Sequence, residues 1–166
     1  MRFDIKKRVR IVEQARVTLA RPASFEARVS PGDFSALVES DRAAERVFAS
    51  IESAKLPPTN DFFIRVFLNL PDANVHTSTD DPHYAGSFAF FGTQGEGEGG
   101  HHGKTDFLVN VTDALKRIGR TGSPNGGISI QLVAVPVTGN FVKPDAELVL
   151  NNVDLIVSPV IVRRSE

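Results

Sequence analysis

The stretch that decides the fold is residues 61–92, DFFIRVFLNLPDANVHTSTDDPHYAGSFAFFG. It begins with the apolar run Phe62–Leu68 and ends with a second apolar run, 86–92, and both are typical of strands with at least one buried face. Between the runs lie mostly Pro, Asn, Asp, Ser and Thr, which form and cap turns. Half of the 12 Phe residues and the single Tyr lie in this stretch, so we expect it to contribute much of the core.

The composition excludes several classes of function. The 166 residues fit one domain, and a net charge of −1 gives no reason to expect nucleic acid or a membrane as partner. Cysteine is absent, which excludes disulfides, thiolate metal sites and a cysteine nucleophile. Met1 is the single methionine, so a methionine-rich copper(I) site is excluded as well.

The sequence as given is expected to carry neither a membrane span nor a secretory signal. No apolar run approaches the roughly 20 residues that span a bilayer. The charges near the N-terminus are not followed by the apolar segment of a secretory signal. We therefore expect the chain as given either to be cytoplasmic or to be a piece of a larger protein.

Residues 1–60 differ in pattern from the central stretch. Apolar and basic residues alternate over 8–13 and 15–20, which predicts two strands with one solvated face, and 24–29 predicts a third. The basic residues favour solvated edge strands over a patch that binds an acidic partner. From Ser40 the apolar residues recur at helical spacing, which predicts a helix over 40–52 that ends before Pro57-Pro58.

The second half of the chain predicts further short elements. The glycine-rich residues 92–103 predict a mobile loop without a phosphate-binding pattern. Thr112 is predicted to cap a short helix that Gly119 ends. Asn151-Asn152 is predicted to be the turn of a hairpin. The remaining predicted strands are 104–111, 128–135, 146–150 and 153–157.

These elements, about nine short strands and two helices, predict a mainly β fold. We expect an antiparallel β-sandwich or a flattened jelly-roll-like barrel with one or two short helices. The whole chain, 1–166, is predicted to be one domain. Within it, 1–60 holds the N-terminal strands, helix and proline-rich linker, 61–158 the sandwich core, and 159–166 a tail.

The histidines invite a metal hypothesis, which the sequence does not favour. A pair of copper ions with open positions needs about six imidazoles. The chain has four, and the adjacent pair points apart in a regular backbone. They are His76, His83, His101 and His102. We therefore expect no metal here, although a single copper-delivery site at these residues stays open. No Gly-x-Ser-x-Gly motif is present, and the chain is not expected to be an enzyme.

The order of several motifs resembles the C-terminal domain of tyrosinases and polyphenol oxidases, which are type 3 copper proteins. The resemblance covers about 61–158. The motifs are FIRVFLN at 63–69, HYAGSF at 83–88, HHGK at 101–104, LVNVTDAL at 108–115 and ISIQLV at 128–133.

The resemblance implies a non-catalytic β-sandwich that covers the dinuclear copper site of a separate catalytic domain and keeps that enzyme latent. The catalytic domain, joined in cis before cleavage or bound in trans, would carry two copper ions, and this chain none. In the family, one side chain often inserts into the substrate cavity as a placeholder. The candidates here for the placeholder or its interface are Tyr84, Phe90, Phe91 and His83.

Two other functions stay open at this point. One is a histidine-based copper-delivery module for the same enzyme class, although the absence of cysteine excludes the thiolate route of fungal members. The other is a general β-sandwich binding module. The absence of Trp and the presence of one Tyr argue against an aromatic carbohydrate platform.

Overall fold

The computed structural model describes residues 7–18, 21–28, 45–55, 62–89, 106–121, 127–137 and 147–159. Within them the chain forms eight strands and one helix, α1 (Thr112–Thr121). The strands are β1 (Lys7–Thr18), β2 (Ala23–Arg28), β3 (Glu45–Lys55), β4 (Phe62–Leu68), β5 (Tyr84–Phe88), β6 (Asp106–Asn110), β7 (Gly127–Pro136) and β8 (Glu147–Pro159). No helix among these residues is long and apolar enough to cross a membrane.

The strands form two antiparallel four-stranded sheets. The first sheet has the order β1-β8-β3-β6 and the second has the order β2-β7-β4-β5. The two sheets pack face to face, with β1 against β2 and β7 at one side and β5 against β6 at the other. This arrangement confirms the antiparallel β-sandwich. Strands from residues 1–60 contribute to both sheets.

The main core lies between the sheets and follows from strand alternation. Along β4, every second side chain, Phe62, Ile64, Val66 and Leu68, is at most 1% exposed. Inward-facing residues of β3, β7 and β8 form most of the rest of this core. They are Val47, Ala49, Ile51, Ile128, Ile130, Leu132, Ala134, Leu148, Leu150, Val153, Leu155 and Val157.

Helix α1 covers one end of this core. Ala114, Leu115 and Ile118 are buried against the core strands. The predicted cap at Thr112 is wrong, since Asn110 Oδ1 accepts a hydrogen bond from the backbone nitrogen of Thr112 at 3.1 Å. The Thr112 hydroxyl instead accepts a bond from the backbone nitrogen of Val47 at 2.9 Å. It therefore ties the start of α1 to β3.

The predicted helix over 40–52 is wrong for the part that the structure describes, because Glu45–Lys55 is a strand. Residues 40–44 lie outside the described residues. The apolar side chains fit both periods, and Val47, Ala49 and Ile51 alternate toward the core. β3 pairs with β8 on one side and β6 on the other. A central strand position overrides a helical pattern because it buries the β-branched residues and satisfies the backbone.

The predicted hairpin at Asn151-Asn152 is also wrong, because β8 runs without interruption from Glu147 to Pro159. Asn152 pairs with Glu13 of β1 and with Glu52 of β3. Its side chain donates to Glu52 Oε2 at 3.0 Å. Likewise β1 is one strand where two were predicted, with an irregularity between Arg10 and Val12. Long neighbours on both sides of β8 hold it extended where the local sequence favours a turn.

Candidate functional site

The connection from β4 to β5, residues 69–83, folds back over the outer face of its own sheet, and we call it the covering loop. Phe67 of β4 points away from the main core and is fully buried in a second, smaller apolar cluster. The covering loop contributes Leu70 and Ala73 to that cluster, and β7 contributes Val133 and Val135. The loop is therefore packed on the sheet rather than extended into solvent.

Hydrogen bonds to β7 fix the start of the covering loop. Asn69 adopts a positive φ of 54°, which ends β4 and turns the chain. Its backbone nitrogen donates to Ser129 O at 2.9 Å, and its Oδ1 accepts from Ser129 N at 2.7 Å. Gln131, fully buried, accepts from Leu70 N at 2.9 Å. Its amide nitrogen donates to the hydroxyls of Ser24 and Ser129 at 3.1 and 2.8 Å.

His83 fixes the other end of the covering loop. Its Nδ1 lies 2.8 Å from Leu68 O, and because a carbonyl oxygen only accepts, Nδ1 carries the proton. Leu68 N donates to His83 O at 2.9 Å. His83 N in turn donates to Asp81 Oδ1 at 2.8 Å. The ring is thus used as a structural donor.

Side chains within the covering loop stabilise its turns by hydrogen bonds to the backbone. The turn at Asn74 is closed by Thr77 N, which donates to Asn74 O at 3.0 Å. Asn74 N donates to Thr77 Oγ1 at 2.9 Å, and His76 N donates to Asn74 Oδ1 at 2.8 Å. A second turn has the same design, with Asp80 N bound to Ser78 Oγ at 3.0 Å. Asn, Ser, Thr and Asp are predicted from their residue types to cap turns here, and these hydrogen bonds confirm it.

Val75, at the corner of the first turn, is a candidate that the sequence analysis did not select. Its exposure is 39%, and among the described residues it is one of two exposed large hydrophobic side chains. The other is Leu108 on β6, at 43%. The signal in the sequence was a lone aliphatic residue between turn-forming neighbours. Without the fold, such a residue is indistinguishable from one that packs inward.

The predicted site residues are placed differently from one another. Tyr84 begins β5, is half-buried, and its ring meets the Phe67 ring edge-on at 5.6 Å. His83 is half-buried and His76 is exposed. Phe90, Phe91, His101 and His102 lie outside the described residues, so the predictions on them stay predictions. Among the residues that the structure describes, no group of three or more His, Cys, Asp or Glu could hold a metal.

The Ala-Gly-Ser-Phe motif after Tyr84 joins the two sheets at one edge. Gly86 has a φ of 145°, and a Cβ built on it would lie 2.7 Å from Val109 Cγ1 of β6. Glycine is required here by backbone conformation and by close approach. Phe88 of β5 stacks on Phe107 of β6 with ring centroids 4.6 Å apart. The motif is therefore explained by packing.

Comparison with known proteins identifies the class to which this sandwich belongs. Residues 16–149 match the family model of the chloroplastic polyphenol oxidase C-terminal domain. The chain belongs to this family, which confirms the resemblance seen in the sequence. The match begins well before residue 61, so the last three residues of β1 and all of β2 and β3 are part of the family domain. No curated protein sequence matches the chain.

Solved structures show the same fold in longer proteins. A recombinant latent aurone synthase (polyphenol oxidase) matches with a TM-score of 0.53 and 20% identity over 89% of this chain and 26% of that protein. Latent apple tyrosinase matches with a TM-score of 0.54 and 14% identity over 87% of this chain and 27% of that protein. Latent aurone synthase from its natural source matches with a TM-score of 0.51 and 18% identity over 88% of this chain and 26% of that protein. The chain thus spans about a quarter of these proteins.

Proposed function

We propose that this chain is a shielding domain, which covers the dinuclear copper site of a polyphenol oxidase catalytic domain and keeps that enzyme latent. The observation that carries the proposal is the family match, together with solved relatives of the same fold that are described as latent enzymes. In those relatives the matching region is about a quarter of a longer chain. The partner would be the catalytic domain, in cis or in trans, and it would hold both copper ions.

The covering loop is the surface that we assign to contact with the catalytic domain. A lid must present a rigid projection, because a flexible one loses affinity to ordering entropy on binding. The covering loop meets this requirement through its anchors at Asn69 and His83 and its hydrogen-bonded turns. Its corner carries Val75, which is exposed and apolar.

Two side chains are therefore candidates for the placeholder. Tyr84 offers a phenol that resembles a phenolic substrate, but its ring packs against the Phe67 ring in a T-shaped arrangement. Val75 is smaller and sits on the outside of a turn, where its side chain does not support the second cluster. We expect Val75 to contribute apolar contact at the copper-site entrance and Tyr84 to contribute through its hydroxyl end.

The test uses the full chain added in excess to the activated polyphenol oxidase from the same source, freed of its own C-terminal domain. The wild-type chain is expected to lower turnover of a diphenol, and to bind the enzyme in an analytical sedimentation experiment. Unchanged turnover without complex formation would refute the shielding function.

Substitutions then separate the contact residues. Val75→Ser should weaken inhibition about fivefold to tenfold, since it removes an apolar contact of about 1 kcal/mol. Leu108→Ser is the matched control, because Leu108 is equally exposed but lies on β6. Tyr84→Phe keeps the ring packing and removes the hydroxyl. Equal inhibition by Val75→Ser and wild type would exclude Val75 from the interface.

A further inference from the structure

We propose that Arg117 of α1 is a positioning residue that latches the covering loop, so that the seating of α1 regulates how rigidly the loop is presented. The inference rests on the shielding function for its regulatory meaning. Its structural part, the latch itself, stands on contacts within this chain and is tested separately.

The latch is a two-pronged contact between helix and loop. Arg117 Nε donates to Pro82 O at 3.0 Å, and Arg117 Nη2 donates to Tyr84 O at 2.8 Å. These two carbonyls flank His83, the residue that ties the end of the covering loop to Leu68. One guanidinium on α1 therefore holds the backbone on both sides of the loop anchor.

The backbone around His83 leaves these two carbonyls on either side of one that is already used. Residues 81–83 form a turn, which Tyr84 N closes by donating to Asp81 O at 2.9 Å. His83 O accepts from Leu68 N of β4. Tyr84 begins β5, the outermost strand of the second sheet as described, and Arg117 binds at the start of that strand.

The chemistry of the contact requires arginine. Two donors on one edge of a planar guanidinium match two carbonyls that are one residue apart, whereas a lysine ammonium is a single point donor. The bonds are charge-assisted, which makes each of them stronger than a neutral one. The guanidinium is exposed, so its effect is local and does not hold the fold together.

Helix α1 in turn is fixed to the rest of the sandwich. Leu115 and Ile118 are buried in the main core, and Thr112 binds the backbone nitrogen of Val47. A rigid element thus carries the latch. Any event that lifts α1 from the core would withdraw Arg117 and free the end of the covering loop.

The structural test is amide hydrogen exchange on the full chain, comparing Arg117→Ala, Arg117→Lys and wild type. We expect Arg117→Ala to speed exchange at His83, Tyr84 and Leu68 about tenfold, with exchange in β8 unchanged. Arg117→Lys should recover less than half of that protection. The matched control is Arg16→Ala, which removes an exposed guanidinium from β1 in the first sheet.

Two outcomes would overturn the latch. One is loop exchange in Arg117→Ala no faster than in Arg16→Ala. The other is an equal rise in β8, which would mean that Arg117 stabilises the whole fold and does not position the loop.

The functional arm measures inhibition of the activated polyphenol oxidase in trans. Arg117→Ala should raise the inhibition constant about fivefold over wild type, and Arg16→Ala should leave it unchanged. If wild type inhibits and Arg117→Ala inhibits equally despite faster exchange, the regulatory inference fails and the shielding function stands. If wild type does not inhibit, the shielding function fails, and the exchange data still decide whether the latch exists.

Discussion

The two faces of β4 are covered by different means, the inner face completely and the outer face fully only at Phe67. On the inner face, Phe62, Ile64 and Val66 pack against strands of both sheets in the main core. On the outer face, Phe67 is covered by two apolar residues of a loop, Leu70 and Ala73, and by its strand neighbours. Few apolar side chains hold that loop, and hydrogen bonds from Asn69, Gln131 and His83 hold its ends.

This difference means that the inner face of β4 determines the stability of the domain, whereas the outer face determines how the covering loop is held. The inner face has many apolar contacts within one tightly packed core, so removing a side chain there destabilises the whole domain. The outer face depends on a few directional contacts that can be removed one at a time. A domain that must fold firmly and yet present one loop in a defined position is built in this way. The comparison predicts distinct patterns of damage on the two faces.

The largest effects are expected from truncating the two Phe residues. Phe62→Ala and Phe67→Ala should each reduce the free energy of unfolding by about 3–5 kcal/mol, because both side chains are fully buried. Chemical denaturation measures the loss. Hydrogen exchange should then distinguish them, with loop amides 70–83 exposed in Phe67→Ala and protected in Phe62→Ala. If amides 70–83 exchange equally fast in both variants, the two faces of β4 do not differ in this way.

Gly86→Ala should destabilise by about 2–4 kcal/mol, from strain at a positive φ and from overlap with Val109. The variant tests the edge of the sandwich where β5 of the second sheet packs against β6 of the first. Ser87→Ala is the control next to it, since Ser87 is exposed and should change stability by less than about 0.5 kcal/mol. A Gly86→Ala protein as stable as Ser87→Ala would show that β5 and β6 can separate freely.

Gln131→Leu should cost about 1–3 kcal/mol, since it leaves the half-buried backbone nitrogen of Leu70 without its acceptor. The loss should be concentrated in the covering loop, with faster exchange at Leu70 than at core amides. Ser24→Ala removes one of the two hydroxyls that receive the Gln131 amide, and should cost less. Equal losses in the two variants would show that Leu70 does not need this acceptor.

The smallest effect is expected for the ion pair between Arg16 and Glu147. The charged atoms are 3.9 Å apart and the Arg16 side chain is 72% exposed, so Arg16→Ala should change stability by less than about 0.5 kcal/mol. Thermal unfolding with and without added salt measures it. A clear salt-dependent loss would mean that the surface of the first sheet contributes more than its geometry indicates.

Local patterns identify several of the strands. β2, β6 and β7 have apolar residues at every second position, β4 is an apolar run interrupted only by Arg65, and turn formers lie next to these strands in the chain. The sequence-based predictions are wrong where one local pattern fits two structures. In β3 the apolar residues satisfy both the helical and the strand period, and in β8 a turn-like Asn pair lies inside a strand.

The candidate site was only partly accessible to the same reasoning. The turn-rich loop and the position of Tyr84 beside it follow from residue types between two apolar runs. The role of Gln131 does not, because its partners lie 61 and 107 residues away in the chain. Arg117 is likewise an ordinary helix-surface residue until the fold brings Pro82 and Tyr84 to it.

By itself, the sequence determined the antiparallel β class, the two apolar runs around a capped loop, and membership of the polyphenol oxidase C-terminal domain family. These follow from alternation, turn chemistry and motif order, which are local properties of the chain. Only the tertiary structure decided that β3 is a strand, that the loop folds over Phe67, and that Arg117 holds its end. Those features depend on pairing and packing between distant segments, where the free energy of burial outweighs local preference.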